Sequence, residues 1–172
     1  MVTKVYDINK DVLKYKFDYN EKETNILKSR MNKKQNITID DLRRISLWKL
    51  NRTLNVDNDT LTNLEIIAKD NNITIDSELV KNTITKLVES DGIGFPMASS
   101  ILKFIRPDIF PIIDIRAYRA LFGKKIYSSQ YTKELYIEYT KELYKIAEKH
   151  NLELFQVDEQ LYEFDKVNNK KI

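Results

Sequence analysis

The sequence predicts an all-α protein, because its helix-breaking residues are few and confined to one short region. The 172 residues include only three glycines and three prolines, and all six lie between residues 92 and 123. Elsewhere, apolar residues recur at the three- and four-residue spacing of amphipathic helices. A hydrophobic content of 42% is enough to form one core. We therefore expect a single-domain helical bundle of seven to nine helices over residues 1–172.

Apolar spacing places the first expected helices before residue 90. A helix over residues 40–54, with Thr38 or Asp40 as its N-cap, has an apolar face formed by Leu42, Ile45, Trp48 and Leu50. A second covers residues 61–68. A third begins near Asp76 and continues to residue 90.

Glycines and prolines set the helix boundaries in the central segment, residues 84–123. A helix over 95–106 ends before Pro107, because proline lacks a backbone N–H and disfavours helix in the residue before it. A short helix follows Asp114 and stops at Gly123, since glycine readily adopts the left-handed conformation that ends helices. Residues 131–149 and 154–165 predict the last two amphipathic helices.

Composition excludes several kinds of site. The absence of cysteine excludes disulfides, thiolate-bound zinc, cysteine nucleophiles and iron–sulfur clusters. The single histidine, His150, falls near a helix C-terminus, where a cation is favoured, so we expect neither a catalytic triad nor a metal site. No run approaches the ~18 apolar residues of a membrane span, and the N-terminus lacks an apolar signal core. We expect a cytoplasmic protein with no membrane partner.

The Gly92-Ile93-Gly94 turn is the most distinctive local feature. Phe95 and Pro96 follow it and open a helix, and proline suits that first helical turn. Two glycines allow the backbone to bend sharply and to approach another surface closely. Backbone amides of the turn and the new helix then point outward together, as in sites that bind phosphate. The alternative is that the glycines only join two helices.

The central segment resembles the helix-hairpin-helix DNA glycosylase superfamily. In that superfamily, a glycine-apolar-glycine hairpin is followed by an apolar approach to an aspartate that opens another short helix. Here Phe110-Pro111-Ile112-Ile113 leads to Asp114, which lies 22 residues after Gly92, and Arg119 stands five residues further on. Ala98 also matches, at a close-packed position of the second hairpin helix. The resemblance covers about 40 of the 172 residues.

The resemblance implies a helix-hairpin-helix motif at residues 76–106 and double-stranded DNA as the partner. It also implies a catalytic role for Asp114 in excising a damaged or modified base during base excision repair. A fixed carboxylate stabilises the oxocarbenium-like sugar and activates the attacking water, so this hydrolase needs no cofactor and no metal. The alternative for Asp114 is helix capping. The expected DNA contacts are Gly92, Ile93, Gly94, Phe95, Pro96, Lys103 and Arg116.

One departure from the superfamily limits the expected chemistry. Bifunctional members carry a catalytic lysine two residues beyond the second hairpin glycine, where this chain has Pro96. A proline nitrogen within the chain forms no Schiff base, so we expect no lyase activity by that route. Lys103 lies two helical turns later, and we interpret it as a surface or phosphate-binding lysine. For Arg116 the alternatives are a salt bridge to a neighbouring helix and a phosphate contact.

The sequence leaves two other functional classes open. A net charge of +3, from 29 basic and 26 acidic residues, permits DNA binding without arguing for it. A non-catalytic helix-hairpin-helix DNA-binding module, as in mobile-element or defence biology, is the main alternative. A helical interaction protein without a nucleic-acid role is the other. The tyrosines at positions 131, 136, 139 and 144 are interpreted as a helix-packing stripe instead of a base-stacking platform.

Overall fold

A computed structural model describes residues 4–7, 9–12, 14–16, 19–32, 36–169 and 171. These residues form eight α-helices and one short 3₁₀ turn, Ser128–Gln130, so the all-α prediction is confirmed. The helices are α1 (Glu21–Met31), α2 (Ile39–Lys49), α3 (Asn58–Lys69), α4 (Glu78–Glu89), α5 (Phe95–Ile105), α6 (Ile115–Phe122), α7 (Lys133–His150) and α8 (Leu154–Asn168). In the described ranges, β-pairing is limited to an isolated antiparallel bridge between Asn55 and Asp91.

The chain divides into two compact units, Met1–Thr53 and Leu54–Ile172. The expectation of a single domain over residues 1–172 stays a prediction.

In the first unit, polar contacts hold α1 and α2 together. Thr38 caps α2 in a reciprocal capping box with Asp41, whose buried carboxylate also accepts a hydrogen bond from Arg30 at 2.9 Å. Trp48 Nε1 donates to Thr24 Oγ1 at 2.9 Å. Leu42 and Leu50, which we expected on the inward face of α2, are instead 51% and 68% exposed.

Helix α1 was not predicted, and its composition explains why. Its sequence, EKETNILKSRM, buries only Thr24 and Leu27. Two buried positions give too short an apolar pattern to indicate a helix. The helix depends on tertiary contacts such as the Arg44–Glu23 ion pair with α2.

The second unit contains the main core, built from α3 to α8. Within it, α6 packs chiefly on α8, α3 on α4, and α5 on both α3 and α4. The fully buried side chains include Ile67, Val80, Ile84, Leu87, Leu102, Phe110, Ile113, Tyr136, Tyr139 and Leu143. Burying large apolar side chains from every helix of the unit provides the dominant favourable term in its folding.

Candidate active site

The glycine turn lies between α4 and α5 with the expected local geometry. Gly92 has a φ of 80°, a left-handed conformation that favours glycine. Ile93 is buried, 5% exposed, and its N–H donates to the Ser90 carbonyl at 3.2 Å. Gly94 is extended and caps α5, and a Cβ added there would meet only Pro96 Cδ, at 4.0 Å. The outer side of Gly94 is therefore open to a larger group.

The turn and the start of α5 supply no cation of their own. Residues 92–99 include no lysine or arginine. Pro96 is exposed, whereas Phe95 is half-buried and stacks on the Tyr131 ring with centroids 6.1 Å apart. A phosphate at the turn would therefore be held by backbone amides. DNA contact by Gly92, Ile93, Gly94, Phe95 and Pro96 stays a prediction.

The approach segment, Phe110 to Ile113, has no regular secondary structure, yet helix side chains hold its backbone. Three tyrosines of α7 donate to carbonyls in or next to this segment: Tyr136 to Pro111 at 2.9 Å, Tyr139 to Ile112 at 3.0 Å, and Tyr144 to Ile109 at 2.8 Å. These bonds replace the ladder hydrogen bonds that a strand would have had. They fix the segment that leads into the predicted catalytic residue.

Three of the four tyrosines, Tyr136, Tyr139 and Tyr144, therefore have the helix-packing role that was predicted. Tyr136 and Tyr139 are fully buried, and burial raises their pKa well above the usual value of 10. Burial also raises the pKa of Tyr144, to about 12. All three are therefore neutral hydrogen-bond donors at physiological pH. Tyr131 is half-buried, and the nearby Asp114 charge adds to the effect of burial in raising its pKa.

Two N–H groups of the same segment are held from other helices. The Ile112 N–H donates to Asp158 Oδ2 of α8, and the Ile113 N–H donates to Ser99 Oγ of α5 at 3.2 Å. Helices α5, α7 and α8 therefore all contribute to placing the backbone just before Asp114.

Asp114 is the N-cap of α6, as predicted, with Oδ1 accepting the Ala117 N–H at 2.7 Å. Burial raises the pKa of Asp114 above its usual range, against the opposing effects of the helix amides and of Arg116. The carboxylate is held in a partly dry position, and a raised pKa makes it a stronger base than an exposed aspartate.

Asp114 also lines a cavity of about 470 Å³, within the range of about 300–1,000 Å³ that is typical of small-molecule sites. The residues that line this cavity, called here the Asp114 cavity, are Lys103, Ile112, Asp114, Ala117, Asp158, Glu159, Tyr162 and Glu163. Four of them are acidic, and Tyr162 supplies an aromatic surface. In this one position Asp114 both caps α6 and lines the cavity.

The surface position predicted for Lys103 is wrong. Its side chain is only 8% exposed, and its Nζ donates to Asp158 at 2.7 Å, to Glu159 at 2.9 Å and to the Phe155 carbonyl at 3.4 Å. Position 103 falls on the inward face of α5 with Ala98, Ser99 and Leu102. This lysine therefore pairs with the buried Asp158 and the exposed Glu159, and a DNA contact by Lys103 stays a prediction.

The protonation of Lys103 follows from the same contacts. Burial by itself would lower the pKa of Lys103, but hydrogen bonds to Asp158 and Glu159 outweigh burial, and the pKa lies above 10.5. Lys103 is therefore an ammonium, and the protonated nitrogen has no lone pair for nucleophilic attack.

Arg116 forms the salt bridge that was one of its two predicted roles. Its Nη1 lies 3.2 Å from Asp165 of α8, and its guanidinium lies 5.8 Å from the centre of the Tyr162 ring. Arg119 pairs with both oxygens of Asp165 at 2.7 Å, and that hydrogen-bonded pair lowers the pKa of Asp165 to about 2. These contacts attach α6 to α8. A phosphate contact by Arg116, which is 20% exposed, stays a prediction.

Sequence reasoning missed the part of the site contributed by α8. Asp158 and Asp165 are almost fully buried and share the inward face of α8 with Leu154 and Val157. A usable signal was present, because positions 154, 157, 158, 161 and 165 follow helical spacing and two of them carry carboxylates. Acidic residues on an apolar face require internal cations, and the chain supplies Lys103, Arg116 and Arg119.

The described residues contain no group of three or more His, Cys, Asp or Glu side chains arranged to hold a metal ion. Over the same part of the chain, no helix has both the length and the apolar character required to cross a membrane. Comparisons with protein families, curated proteins and solved structures gave no match. The local resemblance of residues 84–123 therefore remains the basis for any functional assignment.

Proposed function

We propose that this protein is a monofunctional DNA glycosylase that binds duplex DNA at the glycine turn and uses Asp114 to hydrolyse the N-glycosidic bond of a damaged or modified base. One observation carries the proposal: the half-buried Asp114 carboxylate lines a cavity of about 470 Å³. The resemblance of the central segment supplies the class of reaction.

The chemistry needs a carboxylate, a water molecule and space for an extruded base. As the C1′–N bond breaks, the base leaves with the electron pair and takes up a proton, and water forms the new bond at C1′. The Asp114 carboxylate stabilises the positive charge on the sugar and accepts or orients the proton of the water. Burial increases both effects, because charges interact more strongly where water is excluded.

Water is the proposed nucleophile because neither lysine position offers an amine. Position 96 is proline, and the Lys103 ammonium is engaged by Asp158, Glu159 and the Phe155 carbonyl. The expected product is a free base and an intact strand with an abasic site.

A second candidate function is a DNA-binding module without catalysis. The observation that favours it is the bond from the Ala117 N–H to Asp114 Oδ1, which gives Asp114 a complete structural role as a helix cap. The two functions differ in base release and agree in DNA binding.

Asp114→Asn separates them. Asparagine caps helices about as well as aspartate, so fold and DNA affinity are expected to persist while the negative charge is lost. The test uses single duplexes that each carry uracil, hypoxanthine, 8-oxoguanine or a methylated purine, with released base measured by chromatography. We expect release from at least one duplex, and a fall of about a hundredfold or more in Asp114→Asn. DNA binding without release from any duplex would favour the module, and undiminished release in the variant would exclude Asp114 as the catalytic carboxylate.

A further inference from the structure

Asp158 is a buried carboxylate that binds both Lys103 of α5 and the approach segment. Its side chain is 3% exposed. Oδ1 accepts a hydrogen bond from Lys103 Nζ at 2.7 Å, and Oδ2 accepts the backbone N–H of Ile112. One side chain of α8 therefore binds both the cation of α5 and the peptide that lies two residues before Asp114.

The Ile112 residue is held from two helices. Its N–H donates to Asp158 of α8, and its carbonyl accepts the Tyr139 hydroxyl of α7 at 3.0 Å. The following N–H, of Ile113, donates to Ser99. With its N–H and its carbonyl both held, Ile112 has little freedom to rotate, and Asp114, the N-cap of α6, follows two residues later.

Lys103 fixes the orientation of Asp158. A buried carboxylate without a cation would be costly, and the ion pair at 2.7 Å offsets that cost while directing Oδ1 towards α5. Oδ2 is then directed at Ile112. The second partner of Lys103 is Glu159, which is 60% exposed. Of the two acidic partners, Asp158 is the one that also binds the approach segment.

We propose that Asp158 is a positioning residue that sets the placement of the Asp114 carboxylate in its cavity through the Ile112 N–H, with Lys103 holding Asp158 in the required orientation. The catalytic consequence rests on the proposed function, whereas the placement of Asp114 is a property of the folded protein alone. A misplacement of about 1 Å at a catalytic group can reduce a rate about a hundredfold. Losing the hydrogen bond that holds Ile112, two residues before Asp114, is therefore expected to change the rate measurably.

Two double variants isolate this hydrogen bond from the ion pair. Lys103→Met/Asp158→Asn and Lys103→Met/Asp158→Leu both remove the buried charges, and asparagine and leucine have similar shapes. Replacing a buried ion pair with uncharged groups is often tolerated, so both full-length variants are expected to fold. Only the asparagine substitution leaves a side-chain oxygen that can accept the Ile112 N–H.

The first measurement is the pKa of Asp114, from the pH titration of its side-chain carboxyl carbon by NMR without any ligand. The asparagine double variant is expected to keep the wild-type, raised pKa. The leucine double variant is expected to shift the pKa down towards the usual aspartate value, because a released approach segment lets water reach the carboxylate. Equal Asp114 pKa values in the two double variants would overturn the proposal.

The second measurement is single-turnover base release from the duplex on which the wild-type protein acts, with DNA affinity measured in parallel. The leucine double variant is expected to release base about tenfold to a hundredfold more slowly than the asparagine double variant at similar DNA affinity. Equal rates would overturn the positioning role. If the wild-type protein releases no base from any duplex, the proposed function fails, and the NMR titration still decides the placement of Asp114.

Discussion

Lys103 and Asp114 line the same cavity, but the Lys103 ammonium donates its hydrogen bonds to Asp158, Glu159 and the Phe155 carbonyl of α8. The cavity is therefore lined by a carboxylate that caps a helix and by a lysine that is already paired with two other carboxylates of the cavity wall. This pairing of Lys103 favours hydrolysis over Schiff-base chemistry, since attack on C1′ by Lys103 would require a free amine.

The first prediction follows from that arrangement. Incubation with a substrate duplex and borohydride is expected to trap no covalent protein–DNA adduct. Strand cleavage is expected only after alkali or heat, which breaks the abasic site. A trapped adduct that disappears in Lys103→Met would show that the lysine leaves its carboxylate partners during the reaction, and the monofunctional assignment would then be wrong.

The second prediction concerns pH. In the proposed reaction base release needs ionised Asp114, and burial raises the pKa of this group above 3.8, with Arg116 opposing the shift and Asp165 adding to it. The single-turnover rate is therefore expected to be constant near neutral pH and to fall tenfold per pH unit below the Asp114 pKa. A profile from about pH 3 to about pH 8 is the measurement, with circular dichroism to verify folding at each pH. A midpoint at or below the usual aspartate value would contradict the assignment.

The third prediction concerns the glycine turn. A Cβ at Gly94 meets nothing closer than Pro96 Cδ at 4.0 Å, and its φ of −95° suits any residue. Gly94→Leu is therefore expected to fold with a melting temperature close to the wild-type value, while its bulk keeps phosphate away from the amides and weakens duplex binding at least tenfold. Wild-type affinity should also fall as salt rises, as expected for phosphate contacts.

The control for that experiment is Asn82→Leu, a substitution at an exposed position of α4 that lies ten residues before Gly92. Titrations at two salt concentrations compare the three proteins. Equal affinity of the wild-type protein and Gly94→Leu would show that DNA does not approach the turn.

The fourth prediction concerns the tyrosine contacts. Tyr139→Phe leaves the partly buried Ile112 carbonyl without its donor, and the loss of such a hydrogen bond costs about 1 kcal/mol of unfolding free energy. Urea unfolding measures the change. Tyr15→Phe, at a position that is 84% exposed, is the control and is expected to unfold like the wild-type protein. A Tyr139→Phe variant as stable as the control would mean that water replaces the hydroxyl.

The fifth prediction concerns Asp165. The Arg119 pair is the largest cause of its low pKa of about 2. A depressed carboxylate pKa stabilises the folded state above the unfolded-state pKa near 3.8, and this contribution is lost as pH falls towards 2. Asp165→Asn is expected to lower stability at neutral pH by about 3 kcal/mol, because two guanidinium groups lose their buried partner.

Urea unfolding at neutral pH and at low pH is the measurement. The difference between wild-type and Asp165→Asn should be largest at neutral pH and should shrink in acid. A difference that does not depend on pH would assign the loss to packing instead of charge.

The sequence by itself determined the helical class and the boundaries of the central segment. Pro107, Asp114 and Gly123 act through their own backbone preferences, so α5 ends and α6 begins and ends where their chemistry predicts. Local sequence could not distinguish a capping role of Asp114 from a catalytic role, because both roles place an aspartate at the start of a helix.

Only the tertiary structure decided which charges meet. Lys103 was expected at the surface, but α5 turns it towards Asp158, 55 residues further along the chain. Tertiary packing also determined that α1 forms and that Leu42 is exposed. Helical spacing shows which residues share a face, whereas the partner of a face is fixed by contacts between distant segments, and those contacts placed Asp158 beside the backbone that leads to Asp114.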